Sequence, residues 1–214
     1  MLTIHAAALL LPGGGRAPVP GGAVAVRDAS IAAFGPYEEV AAAHPGARVR
    51  QWPGVLTPGL LQRDAVRLLG EWYFPDPREA DALGTEPLTG GALDALGPEE
   101  TWRAGSVRRG LHRMLRFGTT AVTAPPGTPA ALLTAVRRSG LTVAAPAVPS
   151  ADGPRLDPLA GAGAVSDATA APLTAGGRAD LAAFDAPDEA ALLAAGAASC
   201  VATIAAGRLV YRGR

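Results

Sequence analysis

Residues 55–66 read VLTPGLLQRDAV, and this stretch marks the change between two kinds of predicted structure. Val55–Thr57 forms a short apolar strand, which the Pro58-Gly59 pair ends with a turn. From Leu60 to Trp72 the apolar residues recur near helical spacing instead. The stretch therefore separates a strand-rich beginning of the chain from a middle that contains helices.

The residues before this stretch are predicted to form strands and turns. The predicted elements are strands at Leu2–Leu11, Ala23–Arg27, Ser30–Phe34 and Val49–Trp52, and one short helix at Tyr37–Ala43. Asp28-Ala29 separates the second and third of these strands and indicates a hairpin. Pro53-Gly54 is predicted to turn the chain into residues 55–57.

Beyond the stretch, a loop gives way to alternating helices and strands. Pro75–Gly97 is rich in Pro, Gly and acids, and is predicted to be a long loop with its acids in a solvated charge run, at Asp76, Glu79, Asp81 and Glu86. Helices at Pro98–Phe117 and Thr128–Ser139 each precede a strand, at Thr119–Thr123 and Leu141–Val148. Strand, helix and strand with short links predict a parallel crossover.

The last third begins with a linker and ends in strands. Ser150–Ala175 is rich in Pro, Gly and Ala and has little periodicity. The predicted elements after it are strands at Ala179–Phe184, Cys200–Ala205 and Arg208–Tyr211, a helix at Pro187–Ala195, and a tight hairpin turn at Ala206-Gly207.

Composition narrows the class of protein. The 214 residues carry 19 acids and 19 bases, every base being Arg, and this zero net charge argues against a nucleic-acid or polybasic membrane surface. The single cysteine, Cys200, excludes an internal disulfide and a cysteine-based zinc site, and is predicted to be a buried free thiol. No apolar run approaches the roughly 18 residues of a membrane helix. We therefore expect a soluble, cytoplasmic protein.

Three sets of motifs, in order along the chain, resemble one family. The first is the opening hairpin with the Pro-Gly turn, the second a helix-to-strand junction, and the third the tail. Their residues are Leu2–Ala7, Gly22–Val26, Ile31–Gly35 and Val55–Leu60; then Met114–Thr120; then Pro172-Leu173, Gly176–Asp185 and Val201–Tyr211. Together these motifs resemble the amidohydrolase superfamily, especially its imidazolonepropionase-like and aminodeoxyfutalosine deaminase-like members, over about three fifths of the chain.

The resemblance implies a mixed α/β fold. In that family the two ends of the sequence form a composite β-sandwich domain, here residues 1–59 with 172–214, and the middle forms a closed (β/α) barrel. Residues 60–171 are too few for such a barrel, which takes about 250 residues. They are predicted to form a partial, truncated barrel-like segment with the Pro/Gly/Ala-rich linker. Its uncovered strand edges favour a homo-oligomer or another protein as partner.

The resemblance also implies where metal ligands would lie. Amidohydrolases bind divalent metals that generate hydroxide near neutral pH, using an H-x-H motif just after the Pro-Gly turn. Alternate strand residues share a face, which suits a metal. Here the two positions hold Asp64 and Val66, and valine cannot coordinate a metal. We therefore predict no catalytic residue, no metal site and no cofactor, and Arg63 favours an ion-paired or solvated Asp64.

Other candidate ligands are scattered along the sequence. Asp167 resembles the last-strand aspartate of the family, and the alternative is a turn or cap residue. The histidines lie in separate elements: His5 in a strand, where partial burial is expected, His44 in an exposed loop, and His112 on a basic helix face. No three-histidine site is predicted.

The aromatic run Trp72-Tyr73-Phe74 is unusual in a chain with few aromatics. One interpretation is that it packs the open side of the partial barrel. The other is that it forms, together with Asp64, a ligand pocket or a partner surface.

Three functions follow as hypotheses. The first is a degenerate amidohydrolase-like protein that acts through binding or self-association. The second is a hydrolase of non-peptide C–N bonds in small cyclic amides or amidines, completed by a partner or an unfamiliar site. The third is a binder of a small-molecule ligand.

Overall fold

A computed structural model describes residues 2–97, 100–151 and 153–213. Its strands are β1 (Leu2–Leu10), β2 (Val19–Pro20), β3 (Gly22–Arg27), β4 (Ser30–Pro36), β5 (Arg48–Pro58), β6 (Leu60–Gln62), β7 (Trp72–Tyr73), β8 (Leu88–Thr89), β9 (Thr119–Thr123), β10 (Thr142–Ala144), β11 (Leu181–Phe184), β12 (Cys200–Ala205) and β13 (Arg208–Arg212). Its α-helices are α1 (Tyr37–Ala43), α2 (Ala65–Glu71), α3 (Ala80–Leu83), α4 (Gly90–Leu96), α5 (Glu100–Leu115), α6 (Ala130–Arg138) and α7 (Glu189–Ala195). Short 3₁₀ helices lie at Pro77–Glu79, Val165–Ala168 and Ala197–Ser199.

The two ends of the sequence form one eight-stranded sheet, here called the composite sheet. Its order is β13-β12-β11-β5-β1-β3-β4, with β2 paired to β1. Strands β1 and β5 are parallel, and the other described pairs of this sheet are antiparallel. The ends meet where β5 pairs with β11, from Val55 opposite Phe184 to Pro58 opposite Leu181. The predicted mixed α/β class is confirmed, while the predicted domain boundaries stay a prediction.

The composite sheet curls so that its two halves face each other. Backbone hydrogen bonds join the β3–β4 hairpin to the segment before β11, where Ala179 N–H donates to the Ala29 carbonyl and Ile31 N–H donates to the Gly177 carbonyl, each at 2.8 Å. Apolar side chains from both halves fill one core, and they include Val24, Val26, Leu56, Leu181 and Ile204.

The hairpin turns at Asp28-Ala29 and Ala206-Gly207 are confirmed. Asp28 has φ 54°, and both Ala206 and Gly207 have positive φ, at 48° and 72°. Two consecutive positive φ values match the right-handed twist of the flanking strands.

The predicted turn at Pro53-Gly54 is wrong, because β5 runs through it from Arg48 to Pro58. Its pairing with β1 shifts between Trp52 and Val55, so the pair forms a bulge rather than a reversal. Gly54 takes φ 62° there, which a residue without Cβ adopts at little cost.

The Pro58-Gly59 pair is also not a reversal, because β5 ends at Pro58 and β6 begins at Leu60. Gly59 N–H donates to the Asp180 carbonyl of the composite sheet, and Leu60 N–H donates to the Gly118 carbonyl, both at 2.9 Å. A Cβ on Gly59 would overlap the Thr120 side chain. The glycine therefore lets the strand pass closely from one sheet into the next.

That next sheet, with its helices, is here called the barrel segment. Strands β6, β9 and β10 pair in parallel in the order β10-β9-β6, and no further strand joins them among the described residues. One core packs them against α2, α5 and α6, through Leu68, Leu111, Met114, Val122 and Val136. Strand β10 is shorter than the predicted Leu141–Val148, and Val148 is 84% exposed. The predicted start of α5, at Pro98 and Glu99, lies outside the described residues.

The predicted loop at residues 75–97 is wrong, since it contains a 3₁₀ helix, α3, β8 and α4. Asp76 caps the 3₁₀ helix, and its own N–H donates to Glu79 Oε2 at 2.6 Å. Arg109 on α5 donates to the Phe74 carbonyl at 2.7 Å, and Arg113 pairs with Glu86 at 3.1 Å. Asp76 and Glu79 therefore cap the 3₁₀ helix and Glu86 pairs with an arginine, whereas Asp81 is solvent-exposed as predicted.

None of the helices in the described residues combines the length and apolarity needed to cross a membrane.

His5 is a buried polar side chain of the composite sheet, 1% exposed rather than partly buried as expected. Trp52 Nε1 donates to His5 Nδ1 at 3.1 Å, and the two rings stack. Burial, and secondarily the positive charge of Arg50, lower the pKa of His5 from 6.5 to about 4. The imidazole is therefore neutral in the folded protein near pH 7.

Lowering the pH from 7 to 5 should remove about 2 kcal/mol of unfolding free energy through His5. The pKa of His5 is lower in the folded protein than in the unfolded chain. The contribution of neutral His5 to stability is therefore complete above about pH 6.5 and is lost as the pH falls toward about 4. Urea unfolding at several pH values measures it. Burial raises the pKa of Asp180, so the contribution of Asp180 to stability changes with pH in the opposite direction. Because His5→Gln keeps this contribution, that variant is the control. Parallel losses in the wild type and in His5→Gln would contradict the assignment.

Candidate functional site

The position of the first expected metal ligand holds a buried carboxylate. Asp64 lies between β6 and α2 and is only 2% exposed. The Ser150 and Arg155 backbone N–H groups donate to its Oδ1 and Oδ2, at 3.0 and 3.2 Å. The expectation of a solvated Asp64 is wrong, because a segment 86 residues further along the chain folds over it. Val66, at the second ligand position, lies on α2.

Gln62, which the sequence did not single out, completes this contact. Its Nε2 donates to the carbonyls of Arg155 and Leu156 at 3.1 and 3.0 Å, and its Oε1 accepts from Asp64 N–H at 3.0 Å. Gln62 is the last residue of β6, and Asp64 lies two residues further on, in the turn before α2. The two side chains bind the backbone of Ser150, Arg155 and Leu156, and the pair is here called the Gln62–Asp64 clamp.

Two further aspartates fix the rest of the covering segment. Asp157 accepts backbone N–H groups from Leu159 at 2.8 Å and from Ala197 at 3.0 Å. Asp167 accepts Ala164 N–H at 2.9 Å, which gives it the cap role, and its backbone carbonyl accepts a hydrogen bond from Arg63. The segment that lacks periodicity in sequence is therefore tied to the barrel segment and to the composite sheet.

A small polar cavity of about 80 Å³ remains beneath this segment. Asp64, Asp157 and Asp167 line it, with Arg63 and Arg155. Within the described ranges, no group of three His, Cys, Asp or Glu side chains is placed to hold a metal ion. The carboxylates instead accept backbone N–H groups, which is a structural arrangement.

The histidines are not brought together. His5 lies inside the composite sheet, His44 follows α1, and His112 is exposed on α5. Cys200 is a free thiol buried in β12, as predicted, and burial raises its pKa to about 11.

The aromatic run divides between core and surface. Tyr73 and Phe74 are 1% and 3% exposed, and Phe74 packs in the barrel-segment core. Trp72 is half-buried and lines an open cavity of about 610 Å³ with Leu93 and Arg103. A ligand or partner role for this surface stays a prediction.

The chain thus has a composite sheet made from both chain ends, joined to a few parallel strands with helices. A family model, that of the bacterial imidazolonepropionase-like composite domain, matches residues 22–47, which run from β3 through α1. The resemblance to imidazolonepropionase-like proteins seen in the sequence is therefore confirmed for this composite-domain segment.

Solved structures that match part of this chain include an ochratoxinase, a guanine deaminase and an aminofutalosine deaminase. Ochratoxinase from A. niger is 20% identical with a TM-score of 0.45, over 67% of this chain and 31% of that one. Guanine deaminase from Bradyrhizobium japonicum is 22% identical with a TM-score of 0.43, over 68% and 34%. Helicobacter pylori aminofutalosine deaminase is 14% identical with a TM-score of 0.42, over 67% and 34%. The chain spans about a third of the length of these proteins. No curated protein sequence matches it.

Proposed function

We propose that this chain is a non-catalytic amidohydrolase-like protein that acts through binding. The observation that carries this proposal is the Gln62–Asp64 clamp, because both carboxylate oxygens of Asp64 accept N–H groups from the chain's own backbone. A residue in that role holds the fold together.

The chemistry of the site supports the proposal. Metal-dependent hydrolysis requires side chains that hold the ion and leave a position open for water. At the expected positions, the Val66 side chain has no donor atom, and the backbone N–H groups of Ser150 and Arg155 occupy the Asp64 carboxylate. Residues that could replace the missing ligands are not clustered within the described ranges.

The exposed strand edges support a binding role. Strand β10 ends the barrel-segment sheet and pairs only with β9 among the described strands, and Val143 on it is 37% exposed. An uncovered edge pairs readily with another chain. The partner would be a second copy or another protein.

Metal analysis tests the proposal against a hydrolase of C–N bonds, the activity suggested by relatives named as deaminases. Untagged protein is equilibrated with Zn²⁺, Mn²⁺ or Fe²⁺, dialysed and analysed for bound metal, and ammonia release from guanine and adenosine is measured. We expect far less than one ion per chain and no ammonia.

The contradicting result would be one tightly bound ion per chain that Asp64→Asn removes. Asp81→Asn is the matched control, since Asp81 is an exposed acid on α3. Loss of the ion in Asp64→Asn but not in Asp81→Asn would assign Asp64 as a ligand and restore the enzyme hypothesis.

A further inference from the structure

A large cleft lies where the composite sheet and the barrel segment meet. It has a volume of about 730 Å³ and is bounded by the end of α6, by β10 and by β13. Four arginines line it, and we call it the arginine cleft: Arg137, Arg138, Arg178 and Arg208. None of the described residues that line it is acidic. The cleft is therefore a concentrated positive patch on a chain without net charge.

Two strand edges run along the arginine cleft. Residues 208–210 of β13 and residues 141–143 at β10 all line it. Because successive strand residues point to opposite faces, a cavity that touches consecutive residues of a strand must follow its edge. Each strand is also the last of its sheet among the described residues. Both edges therefore offer unpaired backbone groups to the cleft.

The four arginines of the cleft differ in whether other residues hold their side chains. The Arg178 guanidinium pairs with Asp180 at 2.9 Å and donates to the Gly140 carbonyl at 2.7 Å, which holds it across the cleft. Arg137 and Arg138 are exposed in the last turn of α6, and Arg208 is exposed at the start of β13. The three exposed guanidinium groups can reach a ligand without breaking a contact within the described structure.

Charge decides which kind of strand fits here. A second copy docked edge to edge would bring two arginine clefts together, and like charges in close contact are unfavourable. Arginines at an edge also discourage pairing with neutral strands. An extended segment with acidic side chains would neutralise the cleft while its backbone paired with β10 or β13. Strand addition with charge-specific side-chain contacts is a known mode of peptide recognition.

We propose that the arginine cleft binds an acidic, extended peptide segment of a partner protein as an added strand. This inference rests on the proposed binding function and names the chemistry of the partner. At about 3.3 Å per residue, the five residues of β13 accommodate a bound segment of similar length.

The experiment uses the full chain and a capped, fluorescein-labelled seven-residue peptide of alternating Glu and Val, with binding followed by fluorescence anisotropy. The variant Arg137→Gln/Arg138→Gln/Arg208→Gln should weaken binding by about tenfold. Arg178 is left unchanged because it holds the fold. The matched control is Arg48→Gln/Arg78→Gln/Arg108→Gln, which removes three exposed charges elsewhere and should change affinity less than about twofold.

Two altered peptides separate strand pairing from simple charge attraction. The same sequence with Lys for Glu should bind at least tenfold more weakly, about the effect of reversing a rim of charges. Glu/Val peptides N-methylated at odd or at even residues keep their charge but lose one row of donors, and at least one should bind about tenfold more weakly.

Several results would overturn the inference: no binding of the acidic peptide, equal weakening by the control variant, or undiminished binding of both N-methylated peptides. A ten-nucleotide oligothymidylate that displaces the peptide and depends on the same arginines would assign the cleft to nucleic acid instead. Metal content is unaffected by these outcomes, so a failure here leaves the non-catalytic proposal standing.

Discussion

Asp64→Ala is expected to lower the free energy of unfolding by about 4 kcal/mol, because two partly buried backbone N–H groups lose their buried, charged acceptor. Both donors belong to the segment that folds over the site, at Ser150 and Arg155. A carboxylate bound mainly by solvent would give a much smaller loss. Urea unfolding followed by tryptophan fluorescence measures the difference.

Asp64→Asn refines this prediction, since the amide keeps one carbonyl oxygen as an acceptor and should lose about half as much. Asp81→Ala, an exposed substitution of the same kind, should change stability by less than about 0.5 kcal/mol. Trypsin gives a local readout, because release of the segment should speed cleavage after Arg155. A loss below about 1 kcal/mol in Asp64→Ala would refute the clamp.

The elements predicted well from the sequence are those set by neighbouring residues. Helix α1 at Tyr37–Ala43 and strand β12 at Cys200–Ala205 match their predicted ranges. Apolar alternation, hairpin residues and helix stops act within a few positions, so no distant contact is needed to find these elements. The resemblance then placed both ends of the chain in one structure, which local patterns alone could not do.

The failures have long-range causes. Residues 75–97 look like a loop because their acids appear unpaired, yet Arg109 and Arg113 reach them from α5. Asp64 appears solvated because its partners lie 86 and 91 residues away in a segment without periodicity. Such burial depends on how the chain returns to the site, and no local pattern records it. The absence of a second metal ligand at Val66, in contrast, is visible in the sequence itself.

The Pro53-Gly54 dipeptide shows that the same pair of residues can occur in a turn or within a strand. The pair is typical of a turn, but here it lies in a central strand between β1 and β11. The difference comes from a close contact, because the backbone of residues 184–186, just before α7, passes against Gly54. A Cβ on Gly54 would overlap the Ala186 carbonyl oxygen, lie 2.5 Å from the Phe184 carbonyl oxygen and lie 2.6 Å from Ala186 N.

Gly54→Ala is accordingly expected to cost at least about 4 kcal/mol of unfolding free energy, combining overpacking with a strained positive φ. The overlapping atoms are backbone atoms of Phe184 and Ala186, so no side-chain rotation relieves the contact. Equilibrium urea unfolding, with circular dichroism to confirm the fold, measures the loss.

Two matched glycine substitutions separate the causes. Gly15 has φ 72° but nothing within 4 Å of its Cβ position, so Gly15→Ala reports the backbone strain and should cost about 1 kcal/mol. Gly70 lies on α2 with open space around it, and Gly70→Ala should stabilise the protein by about 0.5–1 kcal/mol. If Gly54→Ala cost no more than Gly15→Ala, β5 would not pass against residues 184–186, and the junction of the two chain ends would need a different geometry.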